Sequence, residues 1–208
     1  MTDEKKEKFK IYLFRHGETT FNRDKIFTGW LDPDLTEKGI KQAEKVAEAL
    51  KNKEFQVAYC SHLKRSKRTL EIVLKYHKNV EVIVDDRIIE RSYGDLQGMK
   101  HADFIKEHGK ELFDIYHRSY DVPPPGGESI KMVEKRVYSF IRDLLEKILN
   151  EKINVAISAH GNSMRPFRKF FENLTIEEMM KLENPWDDYF EYEISPLDYL
   201  DREELKNI

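Results

Sequence analysis

Twice in this chain a short apolar run ends on a histidine followed by a glycine. Lys10-Ile11-Tyr12-Leu13-Phe14 runs into Arg15-His16-Gly17, and Ile153-Asn154-Val155-Ala156-Ile157-Ser158-Ala159 runs into His160-Gly161-Asn162-Ser163. Such runs read as short buried strands, and strands covered on both faces belong to parallel sheets, which need helical crossovers. If both strands lie parallel in one sheet, they end on the same edge, where open α/β sheets place ligands. Two imidazoles then face one pocket.

The rest of the chain fits that frame. Residues 24–33 contain Gly29, Trp30 and Pro33 and have no sustained period, which predicts a loop over the sheet end. Thr36 is placed to cap a helix bearing Ile40, Ala43, Val46, Ala47 and Leu50 at helical spacing. Phe55 to Cys60 predicts a second strand, the next helix turns Leu70, Val73 and Leu74 inward, and Val80 to Val84 predicts a third strand. Residues 85–127 form an irregular insertion with helical pieces at 101–108 and 110–118, ended by Pro123-Pro124-Pro125. Its aromatic residues argue for a packed pocket wall.

Ser129 to Asn150 carries the clearest helical stripe, and helices near 163–171 and 175–181 follow the second histidine strand. Alternation from Tyr189 to Ile194 predicts an antiparallel edge strand, and 196–208 reads as a charged tail or lid. The expected architecture is a single three-layer α/β/α domain over 1–208, with a mostly parallel central sheet, one antiparallel edge strand and helices on both faces.

Composition narrows the function. Lys and Arg number 36 against 39 Asp and Glu, a net charge of −3, so an overall basic attraction to nucleic acid or an anionic membrane is not expected. Cys60 is the only cysteine and reads as a small buried hydrophobe, which suits a reducing compartment. Met1 to Lys8 has mixed charge with no apolar segment behind it, and no run is long enough for a membrane span, so a cytoplasmic location is expected.

A histidine that attacks phosphorus needs one neutral ring nitrogen, one fixed tautomer and cations to receive charge from the transferring group. Arg15 offers a bidentate fork beside His16, and Arg65 lies at the next strand-to-helix connection on the same edge. His160 can donate to phosphoryl oxygens, and the amides of Gly161 and Asn162 at a helix start add oriented donors. No metal is needed for that socket.

Several longer segments carry a resemblance. Leu13 to Thr19, Phe27 to Asp32, Asp34 to Gly39, Lys64 to Thr69, Glu90 to Gly98, Arg118 to Pro125 and Ala159 to Arg165 resemble the histidine phosphatase superfamily, specifically its cofactor-dependent phosphoglycerate mutases. The resemblance implies that His16 carries the phosphoryl group, with Arg15, Arg65, His160, Gly161, Asn162 and Asn22 around it. It implies Glu90 as proton donor and acceptor, Thr28 and Gly29 at the substrate carboxylate, and Tyr93 and Arg118 on the far side of the pocket. Where the mutases bind the remote end with a lysine and adjacent arginines, this chain has His101 and His117, and Lys100 is the neighbouring candidate. The long mutase insertion after the prolines is missing, and Pro125 to Ser129 is similar to the shorter phosphatase branch.

The resemblance further implies 2,3-bisphosphoglycerate as phosphoryl primer, no metal, a small phosphorylated substrate and a homodimer or homotetramer. Three functions are compatible with these residues. The first is interconversion of 3-phosphoglycerate and 2-phosphoglycerate; the second, phosphomonoester hydrolysis by water attacking the same phosphohistidine. The third is a phospholigand-binding protein without catalysis.

Overall fold

The computed structural model describes residues 7–200 and 202–206. The N-terminal residues 1–6, and residues 201, 207 and 208 of the expected tail, lie outside the described residues. Five strands form one sheet in the order β3-β2-β4-β1-β5. They are β1 (Phe9–Arg15), β2 (Val57–Cys60), β3 (Glu81–Val84), β4 (Val155–Ala159) and β5 (Tyr189–Ile194). All neighbours are parallel except β5, which runs antiparallel to β1 at the edge. The expected sheet is therefore present, with β1 gaining Arg15 as its last residue and β2 and β4 each beginning two residues later than the apolar runs suggest.

Strand alternation divides the core. Phe9, Ile11, Leu13, Val57, Tyr59, Val155 and Ile157 face one layer, and Tyr12, Phe14, Ala58, Cys60 and Ala156 face the other. The second layer is α2 (Glu37–Leu50), capped by the Thr36 hydroxyl accepting from Gly39 N, and α3 (Lys64–Val73). The first layer is α6 (Ile130–Glu151), which buries Val133, Val137, Phe140, Ile141, Leu144, Leu145 and Ile148, and α7 (Gly161–Glu172). Both faces of the central strands β1, β2 and β4 are covered, which is why these read as nearly unbroken apolar runs.

Smaller elements complete the order: α1 (Thr20–Arg23), α4 (His101–His108), α5 (Lys110–Arg118), α8 (Ile176–Lys181), α9 (Leu197–Leu200) and α10 (Glu203–Lys206). The turn α1 was not expected from the sequence, and α7 begins at Gly161, two residues earlier than its apolar pattern. Residues 85–127 are packed: Phe27, Tyr93, Leu96 and Phe104 make a third apolar cluster flanked by Met99, Leu112, Phe113 and Tyr116. The described residues of the C-terminal segment pack on the core. Leu205, Tyr199 and Leu200 join the α6 and α7 core, and Arg202 Nη1 donates to Phe170 O at 2.6 Å. Among the described residues, no helix is long and apolar enough to cross a membrane.

Candidate active site

Strand register brings the two histidines together. Arg15 lies opposite Ala159, and His16 N donates to Ala159 O at 3.1 Å, so the next residue on each strand emerges at the same edge. The imidazole centroids of His16 and His160 are 5.0 Å apart, and both residues are buried. Gly17 lets the chain turn tightly against α2, since a β-carbon there would sit 2.2 Å from Gly39 O. That turn aims the Gly17 carbonyl at His16 Nδ1, 2.8 Å away. A carbonyl only accepts, so Nδ1 carries the proton and the lone pair is left on Nε2.

Ser61, the first residue past β2, performs the matching task for His160. Its hydroxyl is 2.8 Å from His160 Nε2 and accepts from Leu63 N at 3.4 Å. With that backbone donor on its oxygen, the hydroxyl proton is free to be given to Nε2, which leaves His160 protonated on Nδ1. His160 Nδ1 has no partner within the described fold. One ring thus presents a lone pair and the other a donor.

Two arginines flank them, Arg65 buried and Arg15 partly so. Arg65 is held by neutral acceptors, donating to Gly29 O and Leu31 O at 2.7 Å each, with Asp32 a more distant 3.8 Å away. Arg15 donates to Asn184 O at 3.2 Å and lies 4.4 Å over the Trp186 ring. The Nε of each lacks a partner within the described fold. Burial pushes the Arg15 guanidinium down to about 10. Burial first, then the fields of Arg65 and Arg15, holds His16 well below the ordinary imidazole range, and burial with Arg65 does the same to His160.

A cavity of about 170 Å³ opens beside these rings. Its lining includes Arg15, Glu90, Gly161 and Asn162, then Asn22, Thr28 and Gly29, and also Tyr93, His101, His117, Arg118 and Arg165. Asn22 turns its Oδ1 back to accept from Thr19 N at 3.1 Å and Thr19 Oγ1 at 2.9 Å, leaving its amide nitrogen as the free polar end. Gly29, at φ +52°, passes so close to Gln97 that a β-carbon would overlap its Oε1 at 2.1 Å. Glu90 Oε1 accepts from Arg91 N at 2.8 Å and Asn162 N at 3.1 Å. The Asn162 amide, expected to point at the ligand, is therefore engaged by a carboxylate at the start of α7.

His16, Glu90 and His160 each bring a ligating atom within 4.8 Å of the others, a donor set that a transition metal can use. Arg15 and Arg65 act on the same volume through their positive fields, which disfavour a cation and favour an anion.

Of the residues singled out from sequence, Arg15, Asn22, Thr28, Gly29, Glu90, Tyr93, Arg118, Gly161 and Asn162 line the cavity, and His16, Arg65 and His160 are buried beside it. Lys100 does not line it. Lys100 is exposed at the start of α4, where its backbone pairs with Ile26, and it is the next residue, His101, that the helix turns inward. Sequence reasoning missed Ser61, Arg165, Asn184 and Trp186. Ser61 occupies the same strand-end position as the histidines, and Arg165 follows Gly161 by one helical turn, so spacing could have found both. Asn184 and Trp186 lie in an aperiodic loop and had no such signal.

Comparison with known proteins agrees with this geometry. The sequence profile of the histidine phosphatase superfamily (branch 1) matches residues 11–194, and the chain belongs to that superfamily. It is 40% identical over 177 residues to the 2,3-bisphosphoglycerate-dependent phosphoglycerate mutase of Parvibaculum lavamentivorans, covering 83% of this chain and 84% of that one. The phosphoglycerate mutase of Schizosaccharomyces pombe is likewise 40% identical, with the same coverage of both. In fold, the chain is similar to the α-ribazole phosphatase of Shigella flexneri, at a TM-score of 0.77 and 24% identity over 88% of this chain and 89% of that one.

Two outcomes follow. His117 is pushed down to about 3 by burial and by Arg118, and His16 and His160 are lowered in the same direction. The folded state thus binds fewer protons than the unfolded chain, and stability falls as pH drops through the unfolded value of about 6.5. Each histidine that stays neutral costs the fold about 2 kcal/mol between about pH 7 and about pH 5. Melting temperatures in phosphate-free buffer should decline over that window, whereas a flat profile would contradict neutral burial. Ser61→Ala should slow phosphoryl transfer about tenfold to a hundredfold by releasing the His160 tautomer, and rapid-quench labelling of His16 would detect an unchanged rate.

Proposed function

We propose that this protein is a phosphoglycerate mutase, interconverting 3-phosphoglycerate and 2-phosphoglycerate through a phosphohistidine at His16. The observation that carries the reading is the pairing of a lone pair on His16 Nε2 with unpartnered donors on Arg15, Arg65 and His160, beside a cavity also lined by Arg118 and Arg165. The mutase names of relatives at 40% identity support it.

The chemistry follows from the residues. The His16 lone pair attacks phosphorus as the bond from phosphorus to the substrate oxygen breaks. Arg15, Arg65 and the His160 Nδ1 proton take up negative charge on the phosphoryl oxygens, and being already oriented they pay no reorganisation when it develops. Glu90, in the cavity lining and within 4.8 Å of both histidines, gives a proton to the departing oxygen and removes one from the incoming hydroxyl. Thr28 and the Gly29 backbone face the substrate carboxylate, and burial keeps water from His16 while the intermediate turns.

When bound, 2,3-bisphosphoglycerate supplies the phosphoryl group that primes His16. The residues fit it: Arg15 and Asn22 would hold one phosphate, and Arg118 the other. In this reading the enzyme works in the cytoplasm as a homodimer or homotetramer.

The phosphatase reading has one observation in its favour. His101 and His117, both lowered by burial, line the cavity where the resemblance expects permanent cations, so the remote phosphate has fewer charges to hold it. Purified protein primed with 2,3-bisphosphoglycerate should convert 3-phosphoglycerate to 2-phosphoglycerate faster than it hydrolyses 4-nitrophenyl phosphate; rapid hydrolysis without isomerisation would refute the mutase. Arg118→Ala should lower isomerisation at least about tenfold more than ester hydrolysis, and equal losses would remove Arg118 from the remote end.

A further inference from the structure

Arg165 has an orientation that the structure of α7 alone does not require. Its Nη1 donates to Met179 O at 2.9 Å and Met180 O at 2.8 Å, at the end of α8, while its side chain lines the cavity. No ion pair and no partner for its Nε or Nη2 occur among the described residues. Arg118 is its cationic neighbour, and that guanidinium has only a 4.0 Å contact with the exposed Glu183. Two positive charges thus line one cavity with Glu183, also in the lining, as a partial counterion, an arrangement whose remaining like-charge repulsion a bound anion would relieve. Arg165 is lowered from its usual range by burial and then by Arg118, with Glu183 opposing the shift.

His101 and His117 cannot relieve or replace that charge. Their rings are 5.3 Å apart and pack against Phe27 and Phe113, apolar surroundings that keep imidazoles neutral. Lys100 is outside the lining. Arg165, the fifth residue of α7, adds a permanent cation to this lining from a different element.

We propose that Arg165, with Arg118, forms the clamp for the second phosphate of the substrate, the one not transferred to His16. The proposal rests on the reading of the site as one for phosphorylated glycerates, and it assigns the specificity for a doubly phosphorylated ligand to Arg165. Its fork is held by backbone carbonyls through one nitrogen only, which leaves the other two for phosphate oxygens.

The test measures binding of 3-phosphoglycerate and of 2,3-bisphosphoglycerate by calorimetry in a His16→Ala background, where neither ligand is turned over. The ratio of the two dissociation constants reads the worth of the second phosphate, whatever activity a variant retains. Arg165→Gln should reduce that ratio at least about tenfold, Arg118→Gln should reduce it as well, and Arg165→Lys should keep most of it. Melting curves establish that each variant is folded, and the lysine and Arg118 variants carry the test if the glutamine variant is not. The proposal is overturned if the parent shows no advantage for the bisphosphate, or if the advantage survives in folded Arg165→Gln. It is equally overturned if folded Arg165→Lys is as weak as the glutamine variant, since loss of the contact to α8 would then be the cause. Isomerisation is assayed separately in the wild-type protein. An Arg165-dependent bisphosphate advantage without isomerisation leaves the clamp standing and removes the mutase.

Discussion

The parallel register of β1 on β4 is the constraint on which the site depends. Pairing Arg15 with Ala159 puts His16 and His160 side by side. A slip of one residue would turn Leu13 and Phe14 to the wrong layers, and a slip of two would shift one imidazole roughly 7 Å along the strand from its present place beside the other. The register is held by the apolar packing on both faces, so the same contacts that stabilise the sheet also set the distance between the two imidazoles. Stability and chemistry are here one geometric condition.

A second regularity concerns how the cations are held. Arg15 is oriented by Asn184 O, Arg65 by Gly29 O and Leu31 O, and Arg165 by Met179 O and Met180 O. Carbonyl oxygens fix a guanidinium without neutralising it. An arginine bound to a carboxylate has already spent its charge, whereas these retain theirs for an incoming anion. The cost is desolvation, visible in the lowered Arg15 and Arg65 and in the neutral histidines beside them. A phosphoryl group entering such a site meets donors that need no rearrangement.

The irregular parts of the chain supply those carbonyls. The loop over the sheet end brings Gly29 and Leu31 to Arg65, and the segment between α8 and β5 brings Asn184 to Arg15. Asn184 Nδ2 also donates to Gly161 O at 2.8 Å, and Arg168 Nη1 donates to Glu183 O at 3.0 Å, tying that segment to α7. Residues 85–127 bury Phe27, Tyr93 and Phe104 in their own small core, which gives the pocket wall the rigidity that a bare loop would lack.

The sequence by itself determined the sheet, the helical layers and the inner half of the site. Those follow from short-range facts: apolar runs bounded by glycine, helical stripes such as that from Ile130 to Ile148, and functional residues placed directly at strand ends. His16, His160 and Arg65 were legible for that reason. The tertiary structure alone decided the outer half. Whether residue 100 or 101 faces the cavity depends on the phase of α4, and the roles of Asn184 and Trp186 depend on where an aperiodic loop crosses β1. The C-terminal segment likewise reads as charged and solvated, yet Tyr199, Leu200 and Leu205 dock on the core behind the sheet. Local pattern fixes which face of an element is apolar; which distant carbonyl or cation meets that element is a property of the packed whole.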